Sequence, residues 1–377
     1  MRSRPAATSP STDASLLNRH ISRLATITGQ RAGWQKMVTD MTTEPALALL
    51  KVDDLKVHFK VGRNGMFGAS PRVHAVDGVS FSIPKGKSFG LVGESGSGKT
   101  TAALAVMRLI DPTEGAIILD GEDISIIDGS ALRKTRRKMQ IIFQDPFSSL
   151  NPRMRAGQVI REPMDVMDIG DPGERDAKVA ELFAKVGLRP EQLALFPHQF
   201  SGGQRQRIGI ARALASQPDL IVCDEPVSAL DVAIQAQILN LLRQLQAEFG
   251  LTFLFISHDL GVVKYFCDDV AVMYLGQIVE QADRISLFRK PLHPYTRALM
   301  SAVPKAHVQG SRDRSRRLQG DPPSPIDLPT GCRFAGRCPF AEGRCHAEPP
   351  VLRLIGTGGH RVSCHLVRDD GVLLQER

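Results

Sequence analysis

SFGLV, GESGSGKT and TAALAVMRLI follow one another over residues 88–110. The first block is short and mostly apolar, the second fits the pattern G-x-x-x-x-G-K-S/T, and the third has the composition of a buried helix. A glycine-rich loop between a strand and a helix is the context in which this pattern binds phosphate. Glycines let consecutive backbone N–H groups curl around an anion, and the helix N-terminus adds its positive dipole end. The stretch therefore predicts a site for a nucleoside triphosphate.

The candidate ligands of the triphosphate lie in this loop and in the first turn of the helix. Lys99 is expected to bridge the β- and γ-phosphate oxygens, and the Thr100 hydroxyl is expected to ligate Mg²⁺. The backbone and the short side chains of the other positions would surround the phosphates. The complete candidate set is Gly93, Glu94, Ser95, Gly96, Ser97, Gly98, Lys99, Thr100 and Thr101.

A second apolar strand ends in two adjacent carboxylates. Residues 219–226 read DLIVCDEP, so Asp224 and Glu225 stand where a buried strand would leave its sheet. In a nucleotide site, an acid at this position holds Mg²⁺ through water, and a further carboxylate can polarise the attacking water. We therefore expect Asp224 to bind the metal and Glu225 to act in catalysis.

A third motif, FSGGQRQR at residues 200–207, separates this chain from most enzymes with a phosphate-binding loop. Its serine and the two glycine N–H groups would form another anion cradle at a helix N-terminus. The motif resembles the signature sequence of ATP-binding-cassette (ABC) ATPases, with Phe200 where leucine is commoner. In that family the cradle binds the ATP held by a second subunit, so that two subunits enclose two nucleotides. The matching positions are Ser201, Gly202, Gly203 and Gln204.

The resemblance assigns roles to four further residues. Gln144, in IIFQDP, resembles the glutamine that contacts Mg²⁺ or the attacking water, and Asp231, in SALD, lies in a loop that crosses the seam between subunits. His258, in ISHD, resembles the histidine that touches the γ-phosphate and joins Gln144 and Glu225 as a catalytic candidate. Phe59, in LKVHF, resembles the aromatic residue that stacks on adenine, although an ordinary core phenylalanine is an open alternative.

Within the ABC ATPases, residues 46–377 resemble the ATP-binding subunits of dipeptide and oligopeptide importers. The supporting segments are an inserted loop, GRNGMFGASPRVH, the sequence EPVSALDVAIQAQILNLL, the tetrapeptide HPYT and a cysteine-bearing tail. The resemblance implies an ATPase that powers peptide import from the cytoplasmic face of the cell inner membrane. The implied partners are a related but distinct second ATPase subunit, two transmembrane permease subunits and, indirectly, an extracytoplasmic solute-binding protein.

The expected fold is an α/β P-loop NTPase core of the ABC type with a mixed sheet. Its nucleotide-binding domain would span residues 46–304 and would contain an inserted helical subdomain at about residues 145–213. Short apolar runs without alternation, such as IIF and LIVC, indicate strands that are buried on both faces. Residues 1–45 read as a poorly ordered extension whose true start codon is open, and residues 305–377 read as a small C-terminal domain.

Four cysteines cluster in the tail at Cys332, Cys338, Cys345 and Cys364. Structural zinc sites usually contain closely spaced cysteine pairs, which this tail lacks. Four thiolates at wider spacing suit a 4Fe-4S cluster, a cofactor that the resemblance to permease-associated subunits also implies. Zinc and unligated thiols remain open alternatives, whereas Cys223 and Cys267 are expected to be small buried apolar residues.

Charge and hydropathy exclude several other classes of protein. The chain carries 48 Lys and Arg against 40 Asp and Glu, and the excess lies at the two ends, because residues 46–304 are nearly neutral. The net charge is therefore weak support for a nucleic-acid partner, and we expect none. No run approaches the ~20 apolar residues that span a bilayer, and no secretory signal is recognisable. Importers of nickel chelates or glutathione-like solutes, and soluble ABC ATPases that act on nucleic acid or ribosomes, are the alternative functions.

Overall fold

The computed structural model describes residues 48–61, 71–145, 147–302 and 320–373. The predicted N-terminal extension lies outside these residues, as does most of the segment that joins the core to the tail. The strands are β1 (Ala48–Lys60), β2 (Arg72–Pro84), β3 (Ser88–Val92), β4 (Glu114–Leu119), β5 (Glu122–Asp123), β6 (Met139–Ile142), β7 (Leu220–Asp224), β8 (Thr252–Ser257), β9 (Asp269–Tyr274), β10 (Gln277–Asp283), β11 (Arg353–Ile355) and β12 (His360–Val362). The helices are α1 (Lys99–Val106), α2 (Gly129–Arg137), α3 (Ala156–Val166), α4 (Arg175–Lys185), α5 (Gly202–Leu214), α6 (Val232–Phe249), α7 (Leu260–Phe266), α8 (Arg284–Arg289), α9 (Pro294–Ala302) and α10 (Gly343–Ala347).

The strands form two sheets. The larger sheet has the order β11-β12-β10-β9-β3-β8-β7-β6, and the smaller sheet has the order β2-β1-β4-β5. In the larger sheet β9, β3, β8, β7 and β6 run parallel, and β10, β12 and β11 pair antiparallel. The predicted mixed α/β fold is therefore confirmed. Every residue of β3, β7 and β8 is buried, as expected for strands with packing on both faces.

The parallel strands determine where the functional motifs meet. The carboxyl ends of β3, β6, β7 and β8 lie at one edge of the larger sheet because these neighbouring strands run in the same direction. The motifs that follow or end them contain Gly93, Gln144, Asp224 and His258. In α/β folds ligands bind at this edge. Four motifs that lie far apart in the sequence are therefore brought to one place.

The helix α6 is amphipathic. Ile238, Leu241, Leu242 and Leu245 are buried along one stripe, so the helix packs on the sheet. It ends at Gly250, whose φ of 67° is the left-handed conformation typical of a glycine that stops a helix.

The segment between β6 and β7 is helical. It contains α3, α4, two 3-10 turns (Pro190–Ala194 and Pro197–Gln199) and α5. Buried apolar residues of all three helices, including Ile160, Phe183 and Ile208, belong to one core cluster that continues to the sheet residues Cys223 and Phe255. No described helix is long and apolar enough to cross a bilayer.

The tail is attached to the larger sheet. Strand β12 pairs antiparallel with β10, with Val362 opposite Glu280, and β11 adds to its outer edge. A small apolar cluster, which includes Leu292, Val362 and Leu366, lies beneath these strands. The tail cysteines are therefore held next to the nucleotide-binding core.

Candidate active site

The phosphate-binding loop, residues 93–100, encloses the side chain of Lys99. The Lys99 ammonium donates to the carbonyl oxygens of Gly93 at 2.9 Å and Glu94 at 2.8 Å. Burial lowers the pKa of Lys99, and the nearby carboxylates of Glu225 and Asp224 oppose that shift. A phosphate anion inside the loop would compensate the desolvated ammonium more fully than two carbonyl groups do.

Two glycines of the loop are required by close backbone contacts. A Cβ on Gly93 would lie 2.2 Å from the carbonyl oxygen of Met273, and a Cβ on Gly98 would lie 2.0 Å from that of Ala75. Gly98 also has a φ of 100° and immediately precedes α1. The loop is thus packed between β2 and β9, and any larger residue at these positions would displace it.

The two predicted Mg²⁺ residues are in direct contact. The Thr100 hydroxyl donates to Oδ1 of Asp224 across 3.1 Å. Burial raises the pKa of Asp224, partly offset by that hydrogen bond. A hydroxyl and a carboxylate provide only oxygen donors, which is the ligand type that Mg²⁺ requires. The residues present therefore fit this ion.

Glu225 is held from two sides by the other catalytic candidates. Its Oε2 accepts from Nε2 of Gln144 at 3.0 Å, and its Oε1 lies 2.9 Å from Nδ1 of His258. Glu225 has a φ of 48°, and its backbone N–H donates to Ile256 of β8. A non-glycine residue in this conformation costs on the order of 1 kcal/mol and is typical of functional sites.

The signature residues form a separate group at the start of α5. Ser201 caps the helix, because its Oγ accepts from the N–H of Gln204, and the Gln204 side chain accepts from the N–H of Ser201. A Cβ on Gly203 would lie 2.6 Å from Cγ2 of Ile234, so α5 and α6 touch closely here. Within the described ranges, no hydrogen bond or ion pair joins Ser201–Gln204 to the phosphate-binding loop.

Two residues assigned by resemblance are exposed. Phe59 is 41% exposed near the end of β1, so it is not a fully buried core residue, and its stacking on a base stays a prediction. Asp231 is exposed at the first position before α6. Both positions can contact a ligand or another subunit.

The four tail cysteines line one small cavity, together with His293 and Phe334 among others. A zinc ion bound at ~2.3 Å by four thiolates would hold the sulfurs about 4 Å apart. Among the described residues, the tail cysteines form no group of three ligand atoms within 4.8 Å of one another. A 4Fe-4S cluster and zinc both take cysteine thiolates as ligands, and the cluster at this cavity stays a prediction.

Two thiols of the cavity, those of Cys338 and Cys364, ionise less readily than a free thiol. Burial raises the pKa of Cys338 to about 12 and that of Cys364 to about 11. A metal would have to displace these protons to bind, because thiolates are the ligands. Cys223 and Cys267 are fully buried in the core, in agreement with their expected apolar role.

Sequence reasoning missed the partners of Glu94. Its carboxylate pairs with Arg337 of the tail, and its N–H donates to the Tyr295 hydroxyl at 2.9 Å. Tyr295 lies in the HPYT segment, which suggested a family but no role for the residue. No pattern of spacing could have linked positions that are more than 200 residues apart in sequence.

Comparisons with known proteins agree with this arrangement. The ABC transporter family model matches residues 76–228, and the model of the oligopeptide/dipeptide transporter C-terminal region matches residues 279–345. The oligopeptide transport ATP-binding protein AppF of Bacillus subtilis (strain 168) is 50% identical over 329 residues, which are 86% of this chain and 99% of AppF. A peptide import ATP-binding protein of Brucella ovis is 49% identical over 88% of this chain and 100% of its own length.

The chain belongs to the ABC transporter ATPases, in their oligopeptide/dipeptide branch. Solved structures of ABC ATPases share its fold. The dimeric cassette MJ0796 bound to ADP and phosphate is 29% identical, with a TM-score of 0.56 over 62% of this chain and 98% of MJ0796. CbiO1 of Clostridium perfringens is 27% identical, with a TM-score of 0.56 over 64% of this chain and 91% of its own. As an ABC ATPase, the chain hydrolyses ATP.

Proposed function

We propose that this chain is the ATPase subunit of an ABC importer for dipeptides or oligopeptides. The convergence of Gln144 and His258 on the Glu225 carboxylate supports the ATPase role most directly. The similarity to peptide-transport proteins supports the choice of cargo, since it extends over nearly the whole length of those relatives. No observation favours nickel chelates, glutathione-like solutes, nucleic acid or ribosomes.

Each residue of the site has its own role in the binding or hydrolysis of ATP. Phe59 stacks on the base, residues 93–101 surround the phosphates, and Lys99 neutralises their charge. Thr100 and Asp224, with Gln144, hold Mg²⁺, which neutralises charge on the β- and γ-oxygens when it is bound. Glu225 accepts a proton from the attacking water, and the two side chains at its oxygens keep the carboxylate in place. His258 is close enough to contact the γ-phosphate.

We further propose that two ATPase subunits are needed for turnover. The signature group, Ser201–Gln204, exposes a helix N-terminus that has no hydrogen bond to the phosphate-binding loop in the described part of the chain. It is therefore available to the nucleotide of a second subunit, with Asp231 at the seam. The solved MJ0796 cassettes are dimers. The partner proposed here is a related but distinct subunit.

The helical segment offers a place for the membrane partners. A groove of about 730 Å³ runs between α3, α4 and the 3-10 turn Pro190–Ala194. Its lining combines apolar residues, such as Met154 and Leu193, with charged ones, such as Arg161 and Asp165. This mixture suits a short amphipathic helix of a permease subunit. One permease docked in this groove on each of the two ATPase subunits would place the chain peripherally on the cytoplasmic face of the inner membrane, with a solute-binding protein across it.

We propose the following domain limits for the chain. Residues 46–304 form the nucleotide-binding domain, with a helical subdomain at about residues 145–213, and residues 305–377 form the C-terminal domain. Residues 1–45 precede the nucleotide-binding domain in the sequence and lie outside the described residues. The cysteines of the C-terminal domain hold a 4Fe-4S cluster, for which their shared cavity and their wide spacing in the sequence are the support.

Uptake measurements test the cargo. A strain that lacks this gene should lose uptake of labelled di- or oligopeptides and regain it with the wild-type gene but not with Glu225→Gln. The same strains supplied with labelled nickel chelate or glutathione provide the control, and their uptake should not change. Loss of nickel or glutathione uptake with normal peptide uptake would contradict the proposed cargo.

A further inference from the structure

An arginine of the tail forms a buried ion pair with the phosphate-binding loop. The Arg337 guanidinium donates to both carboxylate oxygens of Glu94, at 2.7 Å and 3.1 Å, and only 7% of its side chain is exposed. It also lies 5.8 Å from the ring centre of Tyr274. Glu94 is the second residue of GESGSGKT. Two-point contacts of this type are strong and fix orientation, because the planar guanidinium matches the carboxylate.

Glu94 is held at its backbone as well. Its N–H donates to the Tyr295 hydroxyl, and its carbonyl oxygen accepts from the Lys99 ammonium. Tyr295 packs against Phe334, with ring centres 5.5 Å apart. Three groups of Glu94 are therefore fixed, and two of these contacts lead to the tail, directly or through Tyr295.

A second arginine of the tail reaches the other side of the loop. Arg333 pairs with the Asp77 carboxylate of β2 and donates to the carbonyl oxygen of Leu275. The next residue, Gly276, donates its N–H to the carbonyl oxygen of Ser97 at 3.0 Å and accepts from the N–H of Asp77 at 2.8 Å. The tail thus contacts the phosphate-binding loop near its start and, through one intervening turn, near its end.

Both arginines belong to one short segment, residues 332–338, which we name the cysteine loop. It begins at Cys332 and ends at Cys338, two residues that line the cysteine cavity. A 3-10 turn, Ala335–Arg337, occupies its second half, and Cys332 donates its N–H to the carbonyl oxygen of Cys345 at 2.7 Å. A shift of either sulfur would therefore displace the arginines, because few bonds separate them.

We propose that Arg337 is a positioning residue for the phosphate-binding loop, and that through it the packing of the cysteine loop sets the affinity for ATP. The inference rests on the proposed binding of ATP by residues 93–101. Arg337 acts through Glu94, whose two carboxylate oxygens accept from its guanidinium. When the pair is intact the loop keeps the conformation that receives phosphate, and when it is broken the loop must be ordered by ATP itself.

The direct test measures Mg-ATP binding to the full chain by equilibrium titration. Arg337→Met should weaken binding about tenfold, and Glu94→Gln should do the same, since hydrogen bonds to charged groups carry this much energy. The double variant should be no weaker than either single variant. In the assembled transporter, Arg337→Met should raise KM for ATP by a similar factor and change kcat less than about twofold. Arg337→Lys should recover part of the affinity.

Arg344→Ala is the matched control. Arg344 lies in the same tail, but its exposed side chain pairs with Glu348. This variant should bind ATP as wild type does. Equal affinities of Arg337→Met and Arg344→Ala would overturn the inference. If Arg337→Met does not fold, Glu94→Gln tests the same pair from the other side, and wild-type affinity in that variant would overturn it equally.

The link to the cysteines has its own test. Cys338→Ser should weaken ATP binding in the wild-type background and should add nothing in the Arg337→Met background. An equal further loss in both backgrounds would show that the cysteine loop does not act through Arg337. Lys99→Ala distinguishes a failure of the proposed ATP site from a failure of the proposed role of Arg337. Unchanged affinity in Lys99→Ala would contradict the proposed ATP site, whereas loss there with wild-type affinity in Arg337→Met would contradict this inference alone.

Discussion

Glu225 combines a left-handed backbone conformation with a carboxylate that two side chains hold. Its φ is 48°, and its backbone N–H donates to the carbonyl oxygen of Ile256 at 3.0 Å, which anchors this turn to β8. Gln144 and His258 occupy the two oxygens and prevent the side chain from rotating away. In addition, its neighbour Asp224 contacts Thr100 and not the Glu225 carboxylate. The two adjacent acids therefore serve different partners.

Replacement of Glu225 by glutamine removes the carboxylate that accepts the proton and keeps nearly the same side-chain size and shape. We expect Glu225→Gln to bind ATP normally and to lower the ATPase rate of the assembled transporter by about a thousandfold, the size of effect that general-base catalysis contributes. ATP should accumulate in a closed subunit pair, which size-exclusion chromatography with bound-nucleotide analysis would detect. Glu248→Gln, on α6 at a surface ion pair with Lys185, is the control. A normal rate in Glu225→Gln would contradict the assigned role.

At the residue scale, the sequence predicted the loop residues and both acids because each lies in a short motif that matches one chemical task. It could not predict which side chains meet. Gln144 and Glu225 are 81 positions apart, and only the parallel sheet brings their strand ends together. Arg337 lies 243 positions from Glu94 and outside every motif quoted above, so only the structure reveals this pair.

Among the elements, α5 and α6 are packed so closely that a glycine is needed between them. A methyl group on Gly203 would lie 2.6 Å from Ile234, a branched and stiff residue, so one of the helices would have to move. We expect Gly203→Ala to lower the free energy of unfolding by about 1–3 kcal/mol, the usual cost of overpacking. Urea unfolding of the full chain measures it.

Gly209 on the same helix provides the comparison. A Cβ there would have no neighbour within 4 Å, so Gly209→Ala should raise the free energy of unfolding by about 0.5–1 kcal/mol through helix propensity. Equal effects of the two substitutions would show that the contact between α5 and α6 is looser than described.

The sequence predicts the strands that are continuous apolar runs, and it does not reveal the strands of mixed composition. The parallel strands are continuous apolar runs, and β3 was predicted with the bounds it has. By contrast, β10 contains QIVEQAD and β12 contains three residues, HRV, so neither stands out by composition. The strands β1 and β2 mix buried apolar residues with exposed polar ones, so their full length does not stand out as an apolar run. These elements form through long-range pairing, which local sequence does not encode.

The four cysteines that line the cavity of the tail predict a bound iron–sulfur cluster, which metal analysis can detect. Full-length protein purified without oxygen should contain about four irons and four sulfides per chain, with visible absorption. Cys338→Ser should lose both, and chelation should lower the midpoint of thermal unfolding, because metal binding stabilises the fold. Cys267→Ala, a buried core cysteine, is the control that should retain the iron. Stoichiometric zinc, or metal-free protein with wild-type stability, would contradict the cluster.

In the described part of the whole molecule, the signature group, Ser201–Gln204, has no hydrogen bond to the phosphate-binding loop. We therefore expect a variant of each site to affect ATP binding by the isolated chain differently. Lys99 contributes to the site of its own chain, whereas Gly202 faces outward at the start of α5 and would contact the nucleotide of a partner. Lys99→Ala should therefore weaken ATP binding by the isolated chain. Gly202→Asp should leave it within about twofold, since the new charge lies away from the chain's own phosphates.

In the assembled transporter Gly202→Asp should lower ATP hydrolysis by about tenfold or more. The aspartate would place a negative charge where the partner's γ-phosphate must dock, and charge placed at a phosphate cradle opposes closure. Gly202→Ala separates charge from size, because its Cβ would make only an ordinary contact, 3.5 Å from Leu230, and this variant should hydrolyse ATP within a few fold of wild type. If Gly202→Asp turned over normally, or if it lost ATP binding as an isolated chain, the site would not be shared between subunits.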